Sequence, residues 1–171
     1  MGKSLPYIID FTLVYNRYKK PLYNYVCKML NDKSVTEDIT QNVFLKFYEN
    51  LSTIKKVSEP GAWLFATARN EVFGFLRKKK IRSEEYLGEG FEHDSGGSIT
   101  DDIEEAEIKF IIEAEIDDME EETKEIFVLR QYSELSYKEI ANVLGVDEGF
   151  VKGRLFRARQ KLIDKISKLV R

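Results

Sequence analysis

Residues 135–159 constrain the fold of this chain most strongly, because they describe a short helix, a glycine-marked turn and a longer basic helix. Ser136 and Glu139 have the spacing of a capping box, which predicts the start of the short helix. Gly145 permits the left-handed conformation of a sharp turn, and Asp147 is a candidate N-cap for the second helix. The pattern predicts a helix-turn-helix, a motif that places its second helix in the major groove of DNA.

The second helix has one apolar face and one basic face. Apolar residues recur with spacings of three and four at Val151, Leu155, Ala158, Leu162, Ile166 and Leu169. The opposite face carries Lys152, Gly153, Phe156, Arg157 and Gln160, with Arg154, Arg159 and Lys161 on its flanks. The central outward residues are candidates for contacts with base edges, and the flanking cations for contacts with phosphates. The alternative is a solvated basic helix on an ordinary bundle.

The net charge of −3 conceals a strong asymmetry along the chain. Residues 1–80 carry a balance of +7, residues 81–110 of −8 and residues 111–171 of −2, although residues 150–171 alone carry +7. Two basic segments are therefore separated by an acidic one. This distribution is compatible with nucleic-acid binding, which the whole-chain charge would not suggest.

Composition indicates a helical protein without export or metal chemistry. No apolar stretch approaches the ~18 residues that a membrane-spanning helix needs, and the N-terminus lacks the features of an export signal. Cys27 is the single cysteine, which excludes an internal disulfide and a cysteine zinc site. We expect a cytoplasmic protein with no membrane insertion, no metal site and no cofactor.

The first 80 residues show the periodicity of three helices. The first contains the apolar and aromatic residues between Ile8 and Met29, and the second runs from about Val35 to Tyr48. After a connector from Leu51 to Pro60, the third runs from about Ala62 to Lys80. We expect most of the aromatic side chains of the third helix to fill the core. Its four terminal cations suit the C-terminal end of a helix dipole.

Helical periodicity disappears from about Ser83 to Asp102, where glycines, serines and carboxylates predict a flexible tether, and resumes at Ile103. We therefore predict an all-α fold of two small helical domains, a three-helix bundle over residues 1–82 and a helix-turn-helix bundle over residues 103–171. An acidic flexible linker over residues 83–102 would join them. A further hypothesis is that the linker carboxylates repel DNA phosphates and limit DNA binding by the free protein.

Three segments carry a more specific pattern. Residues 36–48 read TEDITQNVFLKFY, residues 62–70 read AWLFATARN and are followed by FLR, and the third segment is the helix-turn-helix. In this order they resemble the polymerase-contacting helix of region 2, the −10 promoter element helix and the region 4 motif that reads the −35 element in the bacterial sigma-70 family. The resemblance is to the extracytoplasmic-function (ECF) group of that family.

The resemblance implies roles for individual residues. The coiled coil of the polymerase largest subunit would be contacted by Asp38, Gln41 and Asn42. The connector 51–60 would capture a flipped base of the −10 element, and the non-template strand would be held by Arg69, Asn70, Arg77 and Lys78. The −35 element would be bound by Lys152, Gly153, Arg154, Phe156 and Arg157.

The resemblance implies a dissociable specificity subunit without enzymatic activity, whose partners are bacterial core RNA polymerase, promoter DNA and an anti-sigma factor. A stand-alone helix-turn-helix regulator is the main alternative, and it predicts specific duplex binding without polymerase. An enzyme acting on nucleic acid is disfavoured. The only histidine, His93, lies in the predicted tether, and the acidic residues form no recognisable metal-binding set.

Overall fold

The structure is a computed structural model that describes residues 5–54, 59–85 and 103–169. These residues form α-helices in the order α1 (Leu5–Leu30), α2 (Lys33–Glu49), α3 (Leu51–Ile54), α4 (Pro60–Glu85), α5 (Ile103–Asp117), α6 (Glu121–Gln131), α7 (Tyr137–Leu144) and α8 (Glu148–Leu169). The predicted all-α class and the two helical bundles are confirmed.

Helices α1, α2 and α4 pack against one another and form the N-terminal bundle. Its core is built from completely buried side chains that recur along one face of each helix, among them Leu22, Val26, Val43, Leu64 and Phe65. The aromatic residues of α4 contribute as expected, since Trp63, Phe73 and Phe75 are partly buried and pack on this core. The start of α2 is capped by Asp32, whose Oδ1 accepts a hydrogen bond from the backbone of Val35 at 3.0 Å.

Helix α4 is longer than its periodicity indicated, because it continues to Glu85. The first three residues of the predicted linker, Ser83–Glu85, are therefore helical. No glycine or proline stands between Gly74 and Gly88 to end the helix earlier, and most of the residues there are good helix formers. The rest of the predicted linker, residues 86–102, lies outside the described residues together with His93.

Helices α5 to α8 form the C-terminal bundle, in which α8 packs against α5, α6 and α7. The predicted apolar stripe of α8 faces inward, with Val151, Leu155, Ala158 and Leu162 buried. These side chains meet buried residues of α6 and α7 such as Ile126, Leu129 and Ile140. The helix-turn-helix is thus a part of a small helical core rather than an isolated motif.

The two bundles also contact each other, which the sequence did not predict. Helix α6 packs against α1 and helix α7 against α4. At the centre of this contact, the hydroxyl of Tyr25 and the guanidinium of Arg69 both donate to the carboxylate of Glu125, each at 2.8 Å. The helix-turn-helix therefore lies next to α4, the helix that carries the predicted −10 residues.

Candidate nucleic-acid interface

The outward face of α8 is exposed as its helical periodicity predicted. Lys152, Phe156 and Arg157 are exposed, and Gly153 between them is half-buried. Phe156 is notable because a large aromatic side chain is 65% exposed in the middle of a cationic face. Lys152 forms a long ion pair of 3.5 Å with Glu148, one turn earlier on the same helix, and its Nζ lies 5.6 Å from the ring centre of Tyr137. A solvent-exposed pair of this kind is weak enough to be exchanged for a phosphate or a base edge.

The angle between α7 and α8 is fixed by local sequence. Ser136 and Glu139 form the predicted capping box at the start of α7, with hydrogen bonds of 3.2 and 2.8 Å. Gly145 ends α7 in the left-handed conformation with φ of +69°, which an L side chain adopts only with strain. Asp147 then caps α8 by accepting a hydrogen bond from the backbone of Phe150 at 2.9 Å. All three local predictions are confirmed.

Arg154 does not lie with the other predicted −35 residues. Its guanidinium forms ion pairs of 2.8 Å with Glu120 and 2.9 Å with Glu122, and only 24% of the side chain is exposed. The same group lies over the ring of Phe150, and its Nε is buried without a hydrogen-bond partner. In this conformation Arg154 joins the start of α6 to α8 instead of facing outward with Arg157.

The predicted −10 residues of α4 fall into two groups. Asn70, Arg77 and Lys78 are exposed, and Asn70 and Arg77 share one face because they are seven residues apart. Arg69 differs, since its Nε donates to Glu125 of the other bundle and its guanidinium lies 5.0 Å from the ring centre of Phe73. Three of the four residues are therefore accessible to a nucleic-acid strand, and the fourth is engaged within the protein.

The predicted base-capturing connector is only partly described. Leu51 and Ile54 of α3 are buried and fix its beginning on the core, while residues 55–58 lie outside the described residues. At its end, the carboxylate of Glu59 accepts a hydrogen bond of 3.2 Å from Asn142 of α7. Gly61 then lies so close to Tyr18 that a Cβ there would be 2.7 Å from the Tyr18 hydroxyl. The glycine therefore permits close packing of α4 on α1.

The predicted polymerase-binding residues lie together on α2. Asp38 and Gln41 are exposed, whereas Asn42 is half-buried and donates to Glu71 of α4 at 3.4 Å. Leu45 extends the same face by one turn and is 54% exposed. Leu45 was not among the predicted residues. Its position seven residues after Asp38 was a usable signal, because an apolar residue on a polar stripe is a common mark of a contact surface.

Neither a metal centre nor a membrane span is built from the described residues. They contain no group of three or more His, Cys, Asp or Glu side chains arranged to hold a metal ion. Cys27 is a half-buried free thiol on α1. In the same part of the chain, no helix combines the length and the apolar character that crossing a bilayer requires.

Comparison with known proteins connects these surfaces to one family. The model of sigma-70 region 2 matches residues 14–81, and the model of sigma-70 region 4 matches residues 109–162. The ECF RNA polymerase sigma factor SigM of Bacillus subtilis is 28% identical over 152 residues, which cover 87% of this chain and 90% of that protein. The ECF RNA polymerase sigma-E factor of Haemophilus influenzae is 26% identical over 169 residues, which cover 94% and 89%.

Solved structures show the same fold. The sigma factor RpoE of Bartonella quintana, determined in complex with the anti-sigma factor NepR, superposes with a TM-score of 0.71 at 22% identity and covers 92% of this chain and 97% of that chain. CnrH, determined in complex with the cytosolic domain of CnrY, superposes with a TM-score of 0.63 at 20% identity, with coverages of 92% and 88%.

Proposed function

Because the chain belongs to the sigma-70 family, as an ECF sigma factor that directs RNA polymerase to promoters, we propose which of its surfaces carry out each step. Sigma factors are non-enzymatic initiation factors, so each step is a binding event. The observation that carries the proposal is that two matched regions each present an exposed cationic face. These faces are the outward side of α8 and the side of α4 that carries Asn70 and Arg77.

The outward side of α8 is the −35 surface. Lys152 and Arg157 have the donors that recognise guanine edges or phosphates in a major groove, and Phe156 offers an apolar contact for a thymine methyl group. Gly153 lets the helix approach the base edges closely, because no Cβ stands between the backbone and the groove. Arg154 supports this surface by fixing α8 to the start of α6.

The side of α4 that carries Asn70 and Arg77 is the −10 surface. A promoter must be opened by trapping unpaired bases, since the protein has no chemistry that could drive strand separation. Exposed Asn70 can hydrogen-bond an unstacked base, and Arg77 and Lys78 can neutralise the phosphates of the same strand. Each extruded base held by stacking and backbone contacts contributes about 1–3 kcal/mol, so that a few contacts offset the cost of unpairing.

Core polymerase makes the two surfaces cooperate. We propose that it docks on the α2 face of Asp38, Gln41 and Asn42, with Leu45 as an apolar contact in the same patch. Promoter elements one to two turns of duplex apart are separated by about 34–70 Å. A scaffold that fixes this separation converts two weak contacts into one strong one through effective concentration. The site of action is then the cytoplasm, where polymerase and chromosome are located.

An anti-sigma factor is the third proposed partner. The structurally similar RpoE was determined with the anti-sigma factor NepR, and CnrH with the cytosolic domain of CnrY. A stand-alone regulator needs no region 2, and the match over residues 14–81 therefore argues against that alternative.

In vitro transcription tests the proposal. Purified chain and bacterial core polymerase are combined over a library of genomic promoter fragments, and transcript starts are mapped. We expect starts that depend on the chain and share two sequence elements at constant spacing. The variants Asp38→Ala and Gln41→Ala should weaken core binding, whereas Glu121→Ala, at an exposed position of α6, serves as the control. Specific binding to a palindromic duplex without core, and no transcripts with core, would instead identify a stand-alone regulator.

A further inference from the structure

Glu71 of α4 lies between the two surfaces that the proposed function assigns to the N-terminal bundle. It directly follows Asn70, which is exposed on the −10 surface. Its neighbours Ala68 and Val72 on the same helix are completely buried in the core. The Glu71 carboxylate is directed at α2, the helix that carries the proposed polymerase contacts. This position makes Glu71 a candidate for organising a surface of a helix to which it does not belong.

The Glu71 carboxylate contacts two residues of α2 with the same oxygen. Its Oε1 accepts a hydrogen bond of 3.4 Å from Nδ2 of Asn42 and forms an ion pair with Nζ of Lys46. Asn42 and Lys46 are four residues apart, so they lie one above the other on one side of the helix. All three residues are half-buried, so water competes for these contacts less than at a fully exposed site.

Asn42 and Lys46 lie at the edge of the docking face, the stripe of α2 on which we propose that core polymerase docks. At about 100° per residue, they lie about 40° and 80° from Asp38 around the helix, and the buried Val43 lies about 140° away. The two residues therefore occupy the strip between the docking face and the core. A side chain on this strip can turn outward to a partner or inward to α4.

Glu71 binds the hydrogen-bond donors of this strip. An ionised carboxylate can only accept hydrogen bonds, so the Asn42 amide must turn its Nδ2 toward Glu71. The carbonyl oxygen of the same amide is then free to accept a hydrogen bond from a partner. Lys46 has donors and no acceptor, and its positive charge is balanced by Glu71 instead of standing unpaired beside the docking face.

The other charges of α2 have the same polarity. Between Glu37 and Glu49, the exposed charged side chains of this helix are acidic, namely Glu37, Asp38 and Glu49. A surface of carboxylates and outward acceptors is complementary to a partner surface that supplies cations and donors. A Lys46 side chain released from Glu71 would place a like charge against such a partner.

We propose that Glu71 is a positioning residue of the docking face, which holds the donors of Asn42 and Lys46 so that the edge of this face presents an acceptor and no free cation to a cationic, donor-rich surface of core polymerase. The inference rests on the proposed docking of core polymerase on α2. It extends that proposal to a residue of α4 that acts through its neighbours.

Core-polymerase binding by full-length variants tests this role. Glu71→Ala should weaken binding about three- to tenfold, because it frees the Lys46 ammonium and the Asn42 amide. Adding Lys46→Ala to Glu71→Ala should then tighten binding about two- to fivefold, since the repelling cation is removed. A second truncation would not repair a loss of bundle stability, so this recovery distinguishes positioning from a merely structural role. Glu121→Ala, at an exposed position of α6, is again the control.

Nuclear magnetic resonance of the free protein addresses Asn42 directly. In a ¹⁵N-labelled chain, the side-chain amide signals of Asn42 are identified by their loss in Asn42→Ala. They should move to the positions of a solvated amide in Glu71→Ala. Glu71→Gln keeps an acceptor oxygen and loses the charge, so it should bind core with an affinity between those of wild type and Glu71→Ala. It replaces the alanine variant if that variant loses helical content by circular dichroism.

The positioning role is overturned if Glu71→Ala, or Glu71→Gln in its place, binds core as tightly as wild type while Asp38→Ala binds more weakly. It is equally overturned if removal of Lys46 gives no recovery, or if the Asn42 amide signals do not respond to loss of Glu71. Normal core binding by Asp38→Ala, Gln41→Ala and Glu71→Ala together would show that the docking face itself is wrong, and the inference would fail with it.

Discussion

Glu125 lies in the contact between the two bundles, so its protonation should affect that contact. Its surroundings therefore predict how pH changes the stability of the contact. The groups that face it are Tyr25 from α1, Arg69 from α4 and Glu121 from its own helix. Tyr25 stays neutral because burial raises its pKa well above the usual range. Glu125 is therefore the member of this cluster whose raised pKa couples protonation to the contact between the bundles.

The sign of the effect follows from linkage. The pKa of Glu125 is raised while the bundles are in contact, so the carboxyl binds a proton more tightly there than when the bundles are apart. The contact is therefore most stable below the ordinary pKa of about 4.5, and it loses this contribution as pH rises through the raised pKa. Fluorescence energy transfer between a dye on each bundle should therefore fall in wild type as pH rises above 4.5, and Glu125→Gln should not show this fall. Identical pH profiles for the two proteins would contradict this explanation.

Two glycines of the helix-turn-helix should respond oppositely to alanine. A Cβ at Gly153 would meet only the Arg157 guanidinium at 3.7 Å, so Gly153→Ala fits and should raise the free energy of unfolding by about 0.5–1 kcal/mol. Gly145 has φ of +69°, so Gly145→Ala should lower it by about 1 kcal/mol or more. Urea unfolding measures both. Equal effects would mean that backbone conformation does not distinguish these positions.

Arg154 and Arg157, three residues apart on α8, should separate stability from recognition. Arg157→Ala should weaken binding of holoenzyme to the −35 element by about 1–3 kcal/mol and leave unfolding unchanged, because the side chain is exposed. Arg154→Ala should lower the free energy of unfolding by up to about 1 kcal/mol, since it breaks the pairs with Glu120 and Glu122. Promoter-binding titrations and urea unfolding of both variants provide the test. If Arg154→Ala reduces promoter binding as strongly as Arg157→Ala, the supporting role is wrong.

At the scale of helices, the C-terminal motif was predictable because its signals are local. Caps, the turn glycine and the 3.6-residue period act within a few residues, and each was observed where the sequence placed it. Helix boundaries were less predictable, as the extension of α4 to Glu85 shows. The partners of Arg69 and Arg154 could not be predicted, since Glu125 and Glu120 are 56 and 34 residues away and resemble other surface acids.

The capping box of α7 should be a separable contribution to the helix-turn-helix. Ser136→Ala leaves the backbone N–H of Glu139 without its side-chain acceptor and should cost about 1 kcal/mol of stability. Ser136→Asp keeps an acceptor at the same position and should restore most of that loss. Thermal unfolding of the two variants measures the difference. A Ser136→Ala protein as stable as wild type would show that tertiary packing alone positions α7.

At the scale of the whole molecule, the distance between the two bundles matters for both promoter recognition and polymerase binding. On the proposed function, promoter recognition needs the bundles to be separated, whereas in this structure they are in contact along α1–α6 and α4–α7. The described buried residues of both bundles accordingly form one continuous hydrophobic cluster. On the same proposal, polymerase binding must supply the free energy that separates the bundles, so the affinity for core polymerase depends on the strength of the contact between them.

This continuity predicts how the protein unfolds. If burial between the bundles couples their stabilities, wild type should show one cooperative urea transition with coincident curves from Trp63 fluorescence and from helical circular dichroism. Trp63 is the only tryptophan and belongs to the N-terminal bundle, whereas circular dichroism reports both bundles. In Glu125→Lys the two curves should separate, because each bundle then unfolds with its own stability. Glu107→Lys, the same charge change at an exposed position of α5, should keep them coincident. Separate curves in wild type would show that the contact between the bundles contributes little to the stability of either one.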